Sequence, residues 1–301
     1  MRRKSWLIFI ILTLTLAPGC WGRVEINEAY VPVGLGMDLT RENKLVSSVQ
    51  VALPEKVKAR PFTTMAAAGD TAAMALRATT LFTPRQQLAQ HVSTFVLGEN
   101  MARHLADAAD LLFRSNFIRE TGDVFIARGS TAREVLEVPT PVEKLPARAL
   151  VSMVRSQDPS TGIYTEVTLS EILGKIAAPG IEPVIPGVKI VEEKPGEKKL
   201  RLSGMAVFRK EKLVGWLNET ESRGYRWLRP QGVTGGTKIV LSPVGGEPVM
   251  LETLQGRSKI EPEIAGDGRI IIHINIREEA NFYEERELDT LLTPENLKKL
   301  E

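Results

Sequence analysis

One thiol and three imidazoles stand out in this 301-residue sequence as groups able to do chemistry: Cys20, His91, His104 and His273. A thiol serves as a nucleophile, a metal ligand, half of a disulfide or the acceptor of a lipid. With no second cysteine in the chain, an internal disulfide is excluded. His91 and His104 have neither HxH nor HExxH spacing and no cysteine beside them, so no metal site is expected. His273 falls on the polar face of RIIIHINIR (269–277), opposite the isoleucines, where a solvated side chain is expected. No serine stands in a GxSxG or SxxK setting, so no catalytic residue is assigned. GVTGGTK (232–238) is too short for a phosphate loop and its lysine follows the threonine, which leaves a turn between strands. GLG (34–36) lacks the third glycine and the following helix of a dinucleotide site. Glu192–Lys194 and Glu284–Glu287 read as solvated surface, and the pair Glu278 and Glu279 is assigned no catalytic role without knowledge of what it faces. Trp216, Tyr225 and Trp227 read either as an aromatic ligand platform or as core packing. The chemistry points away from an enzyme and from any cofactor.

The setting of Cys20 is more informative. Arg2, Arg3 and Lys4 precede an uncharged run, WLIFIILTLTLA (6–17), and Pro18 and Gly19 break it just before the cysteine. A positive start, a short apolar stretch and a small residue describe an export signal. The run is short of the roughly 20 apolar residues that a permanent spanning helix needs. LAPGC (16–20) resembles the lipobox of bacterial lipoproteins, in which the thiol takes up diacylglycerol and the chain is cut before the cysteine. Gly19 fits the small residue there, whereas Ala17 and Pro18 are unusual neighbours. A plain secretory signal or an uncleaved anchor is the competing reading. Two acyl chains hold a protein stably on a membrane surface where one does not.

Composition limits the partners. The chain has 39 Lys+Arg against 37 Asp+Glu, and removing residues 1–19 takes away three bases and no acid, leaving a near-neutral mature protein. That balance provides no field for a nucleic-acid backbone. With 43% hydrophobic residues the body can bury real cores, and no second long apolar stretch follows Cys20.

The elements that would position these residues form an α+β pattern. YVPVGLGMDL (30–39) and LVSSVQVAL (45–53) read as a hairpin. A short helix follows, with Gly69 and Asp70 as its cap residues. His91 opens a buried strand, HVSTFVLG, ahead of one helix from Glu99 to Arg114. Asp123–Ala127 reads as a strand, and Thr131 with Glu134, then Thr168 with Glu171, read as capping boxes. Prolines mark 139–146 as a loop, and prolines, glycines and charges mark 183–199 as a boundary. Beyond it LSGMAVFRKEKLVGWL (202–217) reads as a hairpin, and TKIVLSP, EPVMLETL, SKIEPEI and RIIIHINIR as an antiparallel meander. The meander's last strand puts Ile270, Ile272, Ile274 and Ile276 on one face, and a helix begins at Thr293. The expected organisation is a signal at 1–19, an α+β domain at 20–190 with a break near 139–148, a linker at 191–200, and an antiparallel β-rich domain at 201–301.

Several stretches together resemble the Ger(x)C family, the lipoprotein C subunits of spore nutrient germinant receptors. At the mature start Cys20, Trp21, Arg23, Glu25, Ile26, Asn27, Gly34, Gly36 and Asp38 fit, while Gly22 replaces the usual Asp. His91 before GENMARH and VTLSEILGKIAAPGIEPVIPGV (167–188) are similar to family runs. The most specific piece is 202–228, where Ser203–Gly204, Ala206–Phe208, Leu213–Gly215, Arg223–Tyr225, Trp227 and Leu228 conform. Family members continue into a long charged helix and a closing strand, which this last domain is expected to lack. The resemblance implies a subunit that works with integral membrane A and B subunits in the spore inner membrane, anchored through Cys20 on the outer face of the cell membrane. It transfers no catalytic residue and leaves open whether the subunit binds a small molecule itself. The alternative is a solute-binding lipoprotein of a transporter, which would show two α/β lobes about a hinge.

Overall fold

A computed structural model of the chain describes residues 6, 25, 28–53, 61–115, 118–229, 232–241, 248–285, 295 and 298. The expected signal, Cys20 and the start of the last helix lie outside them, apart from single residues.

The centre is an eight-stranded mixed sheet. Strand β2 (Pro32–Leu39) pairs antiparallel with β3 (Leu45–Ala52), which pairs with β4 (Phe62–Gly69). On its other side β2 runs parallel to β6 (Thr94–Gly98), then β7 (Asp123–Ala127) and β8 (Val184–Lys194). The antiparallel strands β9 (Glu197–Arg209) and β10 (Lys212–Leu217) complete that edge. A two-residue β1 (Ala29–Tyr30) pairs with β5 (Gln86–Gln87) beside it. β6 and β7 are buried on both faces, which is why they read as unbroken apolar runs. Phe95, Leu97, Val124 and Ile126 point into one core, and Val96, Phe125 and Ala127 into the other. The first core is covered by helices α1 (Ala72–Ala78), α3 (Leu105–Arg114) and α6 (Leu169–Ala177). The second is covered by α4 (Ala132–Glu137) and α5 (Pro146–Gln157). The class is α+β, as the element pattern implies.

Glycines in β2 set how closely α4 and α5 approach. A Cβ at Gly34 would lie 2.7 Å from Ala147 Cβ, and one at Gly36 would lie 3.1 Å from Ala132 Cβ. Beneath them buried Gln50 donates to Leu136 O at 2.5 Å and accepts from Ala147 N at 3.1 Å. One amide therefore serves the end of α4 and the start of α5, with Thr64 Oγ1 a second, longer donor to Leu136 O at 3.5 Å.

Several expectations need correction. The stretch 191–200 is not a linker: Val191 pairs with Lys199 and Glu192 with Lys198 in the β8–β9 hairpin, and the sheet runs through the expected boundary. Its charges are exposed on both faces of the hairpin tip, with Gly196 at φ 82 making the turn. The helix from Glu99 breaks at Arg103 and His104 into α2 (Glu99–Ala102) and α3. The cap of α1 is Thr71, whose side chain accepts from Met74 N, in place of Gly69 or Asp70. His91 sits in a short 3₁₀ turn ahead of β6. Thr168 does cap α6, but Glu171 turns to Lys175 at 2.8 Å and Arg229 at 3.4 Å. The proline-marked stretch is irregular from 139 to 145 as expected, and helix α5 begins at Pro146 at its end; α7 (Glu219–Trp227) follows the β10 strand directly.

A separate three-stranded sheet contains β11 (Thr237–Leu241), β12 (Pro248–Ile264) and β13 (Ile270–Glu285). EPVMLETL and SKIEPEI belong to one continuous strand, β12, bent by register shifts between Met250 and Leu251 and between Thr253 and Gln255.

Candidate functional site

Among the described residues no three His, Cys, Asp or Glu side chains gather as metal ligands. The histidines lie apart on the chain's surface, and His273, half-exposed, meets Glu263 at 2.9 Å. Glu278 is occupied structurally, accepting from Thr253 Oγ1 at 2.7 Å and pairing with Lys238. The three aromatics do not form one platform. Trp216 on β10 lies under the Arg128 guanidinium, 4.6 Å from its ring centroid. Tyr225 packs against the core beneath α5, and Trp227 covers Gly256 of β12.

What the fold does build is a joint between the central sheet and the three-stranded sheet. Helix α7 starts with a full capping box, Asn218 with Glu221. Its far end presents Arg226, 6% exposed, to Asp158 at 2.5 Å and to the carbonyl of Thr234 at 3.2 Å. The loop after α5 is organised by Gln157, whose Oε1 accepts from Ile163 N, Tyr164 N and Thr161 Oγ1. Gly236 N donates to Pro159 O at 2.9 Å, and Thr237 Oγ1 to Ser160 O at 3.0 Å. A Cβ at Gly236 would lie 2.9 Å from Gly162 Cα, so these two backbones touch because both residues are glycine. The GVTGGTK stretch is thus the seam between the two sheets. Its glycines at positive φ (232, 235 and 236) serve backbone contact and not phosphate.

Beyond the joint, β12 and β13 continue as a two-stranded ribbon. Ile264 faces Ile270, Pro262 faces Ile272, Ile260 faces Ile274 and Ser258 faces Ile276 in register. The alternation expected from the sequence is there, yet the stripe is open to solvent: Ile270 is 72% exposed, Ile272 58% and Ile276 54%. The stripe is an exposed apolar face on a two-stranded ribbon, an arrangement that proteins use at contact surfaces.

Comparison with known proteins gives the class. A family model described as "Spore germination protein N-terminal domain" matches residues 22–190, and one described as "Spore germination B3/ GerAC like, C-terminal" matches residues 203–301. The chain belongs to this family of spore germination proteins. It is 24% identical to spore germination protein KC of Bacillus subtilis (strain 168), over 92% of this chain and 74% of that protein. It is 27% identical to the putative spore germination protein YfkR of the same organism, over 69% of this chain and 55% of that protein. A crystal structure of the GerBC protein aligns with 89% of this chain and 76% of its own, at 19% identity and a TM-score of 0.48.

Proposed function

We propose that this protein is the lipid-anchored C subunit of a spore germinant receptor. It works beside integral membrane A and B subunits on the outer face of the cell membrane, in the spore the inner membrane, and couples or scaffolds without turning over a substrate. The observation that carries this reading is that germination-family models match both halves of the chain. The exposed isoleucine face of β12 and β13 supports a role in assembly. The two lobes about a hinge that a solute-binding lipoprotein needs are not formed by the described residues, whose central sheet is continuous.

The lipid belongs to Cys20, which follows the export signal at 1–19. A diacylglyceryl group confines the subunit to two dimensions and so raises its effective concentration beside its partners. Spores lacking the gene are expected to lose their response to some amino acids, sugars or nucleosides while a receptor-bypassing stimulus still works. Full responses in spores stripped of every other receptor as well as this gene would refute the assignment. Cys20→Ala is expected to release the protein from the membrane fraction or leave it as precursor. Unchanged fractionation with normal amino-terminal processing would remove the lipid from the proposal.

A further inference from the structure

We infer that the cavity at the joint, between the loop after α5 and the end of α7, is a binding site for a small carboxylate. The cavity measures about 410 Å³, within the range that holds small ligands. Arg155, Asp158, Thr165 and Glu166 line it from one side, and Arg226 and Arg229 from the other.

Two polar atoms of the lining residues are buried without a partner, Thr165 Oγ1 and Arg226 Nη1, the latter beside Gly162. A buried guanidinium N–H left unpaired is costly, and chains normally avoid it. Asp158 satisfies only part of Arg226, and burial still works against the cation despite that carboxylate. Glu166 is already taken, held by Arg155 at 2.7 and 3.3 Å. Arg229 reaches its carboxylate, Glu171, only at 3.4 Å, and Glu171 is shared with Lys175. The lining holds three guanidinium groups against two carboxylates, and Glu171 behind it is divided between Arg229 and Lys175, which leaves one positive charge in surplus among these groups. A single carboxylate balances that surplus and matches the planar fork of an arginine. A phosphate dianion would bring a second charge toward Asp158 and Glu166. Because the walls come from both sides of the joint, an occupied site would fasten the three-stranded sheet to the central one. The site is derived from the cavity alone and stands independently of the receptor assignment.

Isothermal titration of the full-length chain in detergent micelles, with acetate, glycine and inorganic phosphate as separate probes, tests this. Acetate or glycine is expected to bind saturably, and Arg229→Gln and Thr165→Val are each expected to weaken it by about tenfold or more. Both variants leave the Arg226–Asp158 pair in place, and circular dichroism checks that they fold. Absence of carboxylate binding, binding untouched by both variants, or binding of phosphate alone would each overturn the proposal.

Discussion

Asp38 Oδ1, at the end of β2, accepts the backbone N–H of Ala132 at 2.7 Å across 94 residues of sequence. Its other oxygen accepts from Arg133 N at 3.1 Å. The carboxylate thereby holds the first turn of α4 onto the sheet, and although burial raises its carboxyl above the usual range, the two N–H groups offset part of that shift. Gly98 leaves the space: a Cβ there would lie 2.1 Å from Asp38 Oδ1. Asp38→Ala leaves two N–H groups unpaired at a site that is 7% exposed, and is expected to cost about 2–3 kcal/mol in urea unfolding. Asp38→Asn keeps an acceptor and is expected to cost about 1 kcal/mol. Equal losses from the two variants would contradict this role.

Trp227 and Gly256 make the second contact that a single atom decides. A Cβ at Gly256 would lie 2.1 Å from Trp227 Cζ3. Gly256 also exchanges both backbone hydrogen bonds with Val233, at 2.8 and 2.7 Å, so it has little room to shift. Gly256→Ala is expected to destabilise by about 2 kcal/mol through overpacking. In a double-mutant cycle with Trp227→Leu the loss is expected to shrink by about 1 kcal/mol or more. Strict additivity would show that the ring is not what the new methyl meets.

These contacts explain how far the sequence could be read. Gly34, Gly36 and Asp38 carry part of the family resemblance, and the structure gives each a reason in the docking of α4 and α5. Strands β6 and β7 were legible because burial on both faces leaves an apolar run that no solvated element imitates. The β8–β9 tip was not, because a hairpin solvated on both faces has the composition of a linker. Helix α5 did leave a signal, Pro146 at its first position with Ala147, Leu150 and Val154 spaced along one face. Helix α7 hides its character, since its buried positions are Ser222 and Arg226, and only Asn218 with Glu221 announces it. The joint cavity was illegible for the same reason: its walls come from segments about 60 residues apart that no local pattern links. The isoleucine alternation was plain, but alternation fixes which residues share a face and not whether that face is covered.

Asp123 gives a pH dependence with a definite sign. Burial pushes its carboxyl up to about 6, Glu166 adds to the shift, and Arg155 offsets part of it. The folded protein therefore binds this proton more tightly than the unfolded chain, whose value is 3.8. Stability from this group is full below the unfolded value and falls as pH rises toward 6, then levels. Asp123→Asn removes the charge, so it is expected to raise stability above that window by about 1 kcal/mol, after allowance for solvent screening, and to change little near pH 4. Thermal unfolding of both proteins across the window measures the difference. A constant gap at every pH would show that Asp123 does not titrate there.

Ile272 and Ile274 share the open face of β13 and are 58% and 47% exposed. Burying a face of this kind is favourable by about 25 cal/mol for each Å² removed from water, whereas changing it in the free chain costs little. The double variant Ile272→Lys/Ile274→Lys is accordingly expected to shift the unfolding free energy by less than about 0.5 kcal/mol. If the proposed receptor role holds, it is expected in spores to reduce recovery of the protein with integral membrane subunits, because two charges would enter an apolar contact. Full co-purification would show that this face is not where assembly occurs. A large loss of stability would show instead that the chain itself covers the stripe, and that the isoleucines belong to its core.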